Sequence, residues 1–300
     1  MRSPKNVLES LTSKAASKDY HYQRLYRNLY NPAFYLLAYE RIQAKPGNMT
    51  AGSDGKTIDG MSMKRIEVLI QKLKDFSYQP KPARRTYNPK ANGKTRPLGI
   101  PSYDDKLVQE VVRMILESIY EPTFHVTSHG FRPKRSCHTA LQYIKRNYTG
   151  VKWFVEGDIK GCFDNVDHHV LVQILRRRIA DEHFIGLIWK FLKAGYMENW
   201  EYHNTYSDTP QGSLISPILA NVYLNELDVF MAEYAKSFNC GTKRKINPAY
   251  KKPLDVRRGK QEWLKRNEAK ISKEKRREVM AQIQELNSRL RSIPYSDPMD

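Results

Sequence analysis

The sequence predicts an α+β chain, on three observations. Residues 84–100 flank an Asn92-Gly93 turn, the signature of a β-hairpin. Several segments repeat apolar residues at helical spacing, and a short apolar run at 151–157 reads as a strand set between helices.

Taken in order, residues 20–43 carry Tyr22, Tyr26 and Tyr30 at helical spacing, followed by Leu36, Leu37 and Ile42. Such a stripe is either a packing face or a platform on which bases stack. Residues 46–61 form a turn-rich loop with several glycines. The hairpin comes next: residues 84–89, a Lys-Ala-Asn-Gly turn, then residues 94–100. After Pro101 a helix is expected to start near Ser102 to Asp105. Its apolar face is Leu107, Val108, Val111, Val112, Ile115, Leu116 and Ile119, and Pro122 ends it. The strand at 151–157 is expected to deliver Asp158, and a helix follows from about Asp167. Phe184 to Leu192 suggests another buried helix, and Ser216-Pro217 opens a further one striped by Leu219, Tyr223, Leu227, Phe230 and Tyr234. Beyond Cys240 the composition changes. Residues 241–280 hold 15 Lys and Arg against 5 Asp and Glu, and residues 261–291 read as helical with a thin apolar seam at Val279, Ile283, Leu286 and Leu290. This segment is a solvated helix, a partner helix or a surface facing RNA.

Composition narrows the class. Hydrophobic residues at 40% and charged residues at 28% over 300 positions describe a folded domain rather than a disordered tail. Lys and Arg number 51 against 32 Asp and Glu, a formal charge of +19. An excess of this size favours a polyanionic partner, because each neutralised phosphate releases counterions. Cys137, Cys162 and Cys240 match no zinc spacing and suit a reducing compartment. The polar first 20 residues offer no signal-peptide core, and no apolar run approaches a membrane span, so a cytoplasmic location and no membrane partner are expected.

Four segments in order carry the chemistry: Lys94-Thr-Arg-Pro-Leu-Gly-Ile-Pro101, His129-Gly-Phe-Arg-Pro133, Gly157-Asp-Ile-Lys-Gly-Cys-Phe-Asp164 and Thr209-Pro-Gln-Gly-Ser-Leu-Ile-Ser-Pro217. Together they resemble the group II intron-encoded reverse transcriptase and maturase family, over nearly the whole chain. The Gly52-Ser-Asp-Gly55 loop with Thr57 is similar to that family's N-terminal extension. The resemblance implies right-hand polymerase fingers and palm. Residues 1–75 would be the N-terminal extension of the fingers, residues 76–150 the fingers with the hairpin, and residues 151–300 a partial palm with a basic helical insertion at about 241–291.

It further implies RNA-directed DNA synthesis with two magnesium ions, on an RNA template with a DNA primer and deoxynucleoside triphosphates. Binding of group II intron RNA to assist splicing and mobility, in a bacterial cytoplasm, is implied as well. Hard carboxylate oxygens suit magnesium, and a two-metal site steadies the attacking and leaving oxygens of an in-line displacement. Asp158 matches the first metal-binding aspartate, with the Ile159 carbonyl as a further ligand. Lys94 and Arg96 match the triphosphate clamp; their charge and forked donors suit phosphate oxygens, although a hairpin touching only template backbone would need the same residues. Phe163 matches the aromatic wall beneath the sugar, or is an ordinary core phenylalanine. Gln211 and Gly212 match the contact near the nucleotide sugar. Arg132, Lys134 and Arg135 would hold template, and Lys243, Arg244 and Lys245 would face RNA.

Asp164 and Asp167 match no metal position, and Asp167 reads as a helix cap. His168 and His169 lack companions at zinc spacing and read as surface or first-turn residues. The family's other two metal aspartates lie in a Tyr-x-Asp-Asp element that this sequence does not contain. The expectation is a piece of a longer protein that does not extend a primer by itself. The competing classes are a non-catalytic RNA-binding maturase module and an interaction protein in which the tyrosine stripe and amphipathic helices build a homodimer.

Overall fold

The computed structural model describes residues 2–89, 93–149, 151, 154–163, 165–204, 212–238 and 245–297. Its elements run α1 (Pro4–Lys14), α2 (Pro32–Gln43), α3 (Met63–Lys74), β1 (Ala83–Pro89), β2 (Thr95–Ile100), α4 (Tyr103–Tyr120), α5 (Cys137–Asn147), α6 (His168–Arg176), α7 (Glu182–Leu192), β3 (Tyr196–Glu198), β4 (Glu201–His203), α8 (Ser216–Phe238), α9 (Pro248–Arg266) and α10 (Lys273–Arg291). The α+β expectation holds: helices surround one small sheet of order β2-β1-β3-β4. Packing divides the chain into two units, residues 1–232 and 233–300.

In the first unit the core is built on α4. Leu107, Val108, Val111, Val112, Ile115, Leu116 and Ile119 are all buried, as the apolar spacing predicts. Burying that helix on nearly every side also encloses Glu110, which is held by Arg113 at 2.6 Å and by Arg41 at 3.7 Å. A buried carboxylate is tolerable only with such partners. Ser102 caps α4, its Oγ accepting from the Asp105 N–H at 3.2 Å, and the chain turns into a short 3₁₀ segment, Glu121–Thr123, at Pro122.

The tyrosine stripe is a packing face, but no single helix carries it. Tyr22 sits in a β-bridge to Ile179, Tyr26–Tyr30 is a 3₁₀ turn, and α2 begins only at Pro32. Buried hydroxyls need acceptors. Tyr22 donates to the Leu11 carbonyl at 2.9 Å, Tyr26 to Leu73 at 3.0 Å and Tyr35 to Leu29 at 2.8 Å.

The expected hairpin forms, pairing Arg84 opposite Ile100 through to Pro89 opposite Thr95. A second hairpin, β3–β4, pairs in parallel with the start of β1. Its Asn199-Trp200 turn holds both residues at positive φ, 49° and 68°, the backbone that a tight hairpin requires.

The expected strand at 151–157 is not formed among the described residues. A strand needs a ladder partner, and none of the described strands pairs with this segment. Its apolar side chains lie in solvent, Phe154 at 70% exposure and Val155 at 94%. Asp167 caps α6 as predicted, accepting from the Val170 N–H at 2.9 Å. His168, in the first turn, is buried edge-on to Trp189 rather than exposed. On α8 the stripe is buried at Leu219 and exposed at Leu227, Phe230 and Tyr234.

In the second unit, residues 261–291 are not one helix. Asn267 ends α9, both its N–H and its side-chain amide reaching the Trp263 carbonyl, and Ser272 caps α10. The two helices pack together through the predicted seam, with Val279, Ile283 and Leu290 buried.

Candidate nucleotide and RNA site

Asp105 organises the base of the β1–β2 hairpin. It is 3% exposed, and both of its oxygens accept hydrogen bonds. Tyr78 Oη donates to Oδ1 at 2.5 Å, while the Lys81 N–H and Ser102 Oγ reach Oδ2 at 2.9 Å and 2.7 Å. One carboxylate thus ties the chain before β1 to the chain after β2. Burial pushes its pKa up against the opposing pull of these three donors, and pushes that of Tyr78 well above the usual phenol range. The loop at 46–61 is fastened to the same base: Lys106 donates to the Thr50 carbonyl at 3.1 Å, Arg84 to Ala51 at 3.0 Å and Ser53 to Pro82 at 2.6 Å. Lys94 and Arg96 are exposed on the arm that this base holds.

The fourth motif packs against the first. Gly212 has φ +112°, and a Cβ there would lie 2.2 Å from the carbonyl oxygen of Gly99 on β2. Only glycine permits that approach. Next to it, Gln109 of α4 latches the segment, its Oε1 accepting from Ser213 Oγ at 3.1 Å and the Leu214 N–H at 3.0 Å. Neither Asp105 nor Gln109 was among the expected site residues. Ser102-x-x-Asp105 is legible as a helix start, but the partners at Tyr78 and Lys81 lie too far along the chain to be read locally.

In the second motif, Arg132 is only 8% exposed. Its guanidinium grips the Glu121 carboxylate at 2.8 Å and the carbonyls of His125 and Ser128, both at 2.9 Å. It is a buttress, and the loop it holds presents Phe131 in an exposed, positive-φ conformation. The Phe131 ring meets Phe163 edge-on at 6.1 Å, bringing the second and third motifs together. Asn221 of α8 steadies the same loop through the Gly130 carbonyl at 2.9 Å. His129 bonds Thr139 at 2.9 Å, and burial, with Arg135 and Arg132 nearby, lowers its pKa. Lys134 is exposed at positive φ, and Arg135 donates to the Val126 carbonyl at 2.8 Å. Lys245 is exposed just ahead of α9. Gln211, Lys243 and Arg244 lie outside the described residues.

Asp158 and Ile159 are exposed on the extended segment. Among the described residues no three His, Cys, Asp or Glu side chains gather as a metal site. The carboxylate of Asp158 and the carbonyl of Ile159 suit magnesium in kind, as hard oxygens, but not in number.

The reverse transcriptase (RNA-dependent DNA polymerase) family matches residues 88–247. The group II intron-encoded protein LtrA of Lactococcus lactis subsp. cremoris is 47% identical over 290 residues, covering 96% of this chain and 48% of that protein. Protein YkfC of Escherichia coli is 41% identical over 222 residues, covering 70% of this chain and 58% of its own. Among solved structures, a partial Cas6-RT-Cas1–Cas2 complex aligns over 82% of this chain and 43% of that chain, with a TM-score of 0.47 and 18% identity. The chain spans about half the length of the LtrA protein it matches. It belongs to the reverse transcriptase family, in the branch encoded by group II introns.

Proposed function

We propose that the protein to which this chain belongs is an RNA-directed DNA polymerase that also binds its intron RNA to assist splicing and mobility. One observation carries the reading: Gly212 is pressed onto Gly99, on the hairpin that bears Lys94 and Arg96. Residues more than a hundred positions apart thereby share one surface, as a nucleotide site between fingers (residues 76–150) and palm (residues 151–300) requires.

In this reading Lys94 and Arg96 hold the triphosphate by charge-assisted hydrogen bonds. Gly212 lets its segment approach the hairpin closely, and Gln211 is the contact near the nucleotide sugar. Phe163, backed by Phe131, is the ring that leaves no space for a 2′-hydroxyl. Lys134, Arg135 and the basic run at Lys243, Arg244 and Lys245 serve the RNA backbone; Arg132 acts by shaping its loop. Asp158 and the Ile159 carbonyl are this chain's donors to magnesium, which when bound neutralises charge at the attacking and leaving oxygens. The net reaction joins a primer 3′-hydroxyl to the α-phosphate of a deoxynucleotide and releases pyrophosphate and a proton.

The test is primer extension by the full-length protein on an RNA template. Asp158→Ala is expected to lower deoxynucleotide incorporation by about a thousandfold and to leave RNA affinity within about twofold. Arg96→Ala should raise the deoxynucleotide KM by about tenfold, the loss of one charge-assisted contact. Equal loss of synthesis and RNA binding in Asp158→Ala would assign that residue to the fold. RNA binding without any synthesis by the wild type would leave the maturase module as the function.

A further inference from the structure

The basic second unit carries a feature that the polymerase reading does not use. On α9, Val256, Gly259 and Trp263 fall three and four residues apart, and so share one face. A Cβ at Gly259 would meet no atom within 4 Å. The open space over Gly259 is part of a shallow slot of about 560 Å³, walled by Trp263 and Val256 on α9 and by Val279 on α10. Trp263 is 43% exposed, while its carbonyl is fixed by the backbone N–H and side-chain amide of Asn267.

Glycine inside a helix costs about 1 kcal/mol relative to alanine. Here its lack of a side chain keeps that part of the slot open. The rim carries two lysines to one carboxylate: Lys260 donates to the neutral amide of Gln282, while Lys275 is paired at 2.7 Å with Glu278, which also feels the Lys260 charge. Around the slot, residues 245–297 hold 15 Lys and Arg against 7 Asp and Glu.

We infer that this slot takes an unpaired RNA base, stacked on Trp263 with its phosphate near Lys260. An exposed indole beside an apolar floor accepts any base face, and the surrounding charge selects a polyanion over an apolar peptide. The inference rests on the reading that the protein binds RNA, but not on its being a polymerase.

The experiment uses the full-length protein, a single-stranded oligoadenylate and the same oligonucleotide made abasic. Trp263→Ala and Gly259→Leu are each expected to weaken oligoadenylate binding by about five- to tenfold, the value of one base stacked on an aromatic ring. Binding of the abasic strand should change by less than about twofold. Gly259→Leu should raise, or leave unchanged, the helix content and Tm, which a merely structural role for Gly259 would not allow. Unchanged affinity in both variants would overturn the inference, as would equal losses on both strands or a loss confined to Trp263→Ala. Primer extension should persist in both variants. If wild-type synthesis is absent while base-dependent binding is present, the polymerase reading fails and the slot stands.

Discussion

The hairpin that carries Lys94 and Arg96 and the segment that carries Asp158 sit in the same unit and are built in opposite ways. The hairpin base is fastened by a buried carboxylate with three donors, by the Gln109 latch and by the loop at 46–61. The Asp158 segment has no ladder partner among the described strands, and Phe154 and Val155 stand in solvent. Position is thus stored at the hairpin base, where side chains far apart in sequence converge, while the Asp158 carboxylate is held by little beyond its own backbone among the described residues. Such a segment gains order from what binds it, and mutations in the two regions should separate stability from chemistry.

The largest contrast is expected between Asp105→Ala and Asp158→Ala. Removing Asp105 strands the Tyr78 hydroxyl, the Lys81 N–H and the Ser102 hydroxyl in a buried setting, at roughly 1–3 kcal/mol for a group left unsatisfied. A total loss of about 3–4 kcal/mol in chemical denaturation is expected, because some donors will find water. Asp158→Ala should fall within about 0.5 kcal/mol of wild type, as an exposed carboxylate without a hydrogen bond does. Similar losses in both variants would erase the contrast.

Gly212→Ala comes next. The added methyl meets the Gly99 carbonyl at 2.2 Å, at a φ that L-residues rarely adopt. Either the 212–217 segment moves off the hairpin or the strand bends. The expected cost is about 1–3 kcal/mol, with a larger proportional loss of primer extension than of RNA affinity. Gln109→Leu is a milder version of the same break. It leaves the Leu214 N–H and the Ser213 hydroxyl unpaired for about 1–2 kcal/mol, with Gly212 itself unchanged.

These partners also mark what the sequence discloses. Helix starts were legible because their signals are local: Ser102 three residues before Asp105, Asp167 three before Val170, and Ser216 beside Pro217. The Asn-Gly hairpin was legible for the same reason. The strand at 151–157 was not, because apolar composition cannot supply a neighbour to pair with. The β3–β4 hairpin was missed since its strands are three residues long and its turn is Asn-Trp, without the usual glycine. In the site, the motif around Arg132 was visible but its partners were not: the carbonyls of His125 and Ser128 and the carboxylate of Glu121 hold its guanidinium. Asp105 was legible only as part of a helix start, and Gln109 not at all, because the partners at Lys81, Tyr78, Ser213 and Leu214 are 24 to 105 residues away.

The smallest effect probes the same carboxylate by pH. Burial raises the folded-state pKa of Asp105 above its usual value of 3.8. The folded protein therefore holds this proton more tightly than the unfolded chain does. The contribution to stability is complete below the unfolded pKa and is lost as pH rises through the folded pKa. Asp167 and Glu182, both with lowered pKa values, act in the reverse direction. The overall profile therefore mixes the two signs, and a comparison with Asp105→Asn isolates the buried group. Urea unfolding between pH 3 and 7 should show the stability of wild type, relative to Asp105→Asn, falling with rising pH just above the ordinary carboxylate range and then levelling. The slope is bounded by one proton, about 1.4 kcal/mol per pH unit. A difference that rises with pH would mean that the three donors outweigh burial, so that the hairpin base is held by an anion rather than strained by one.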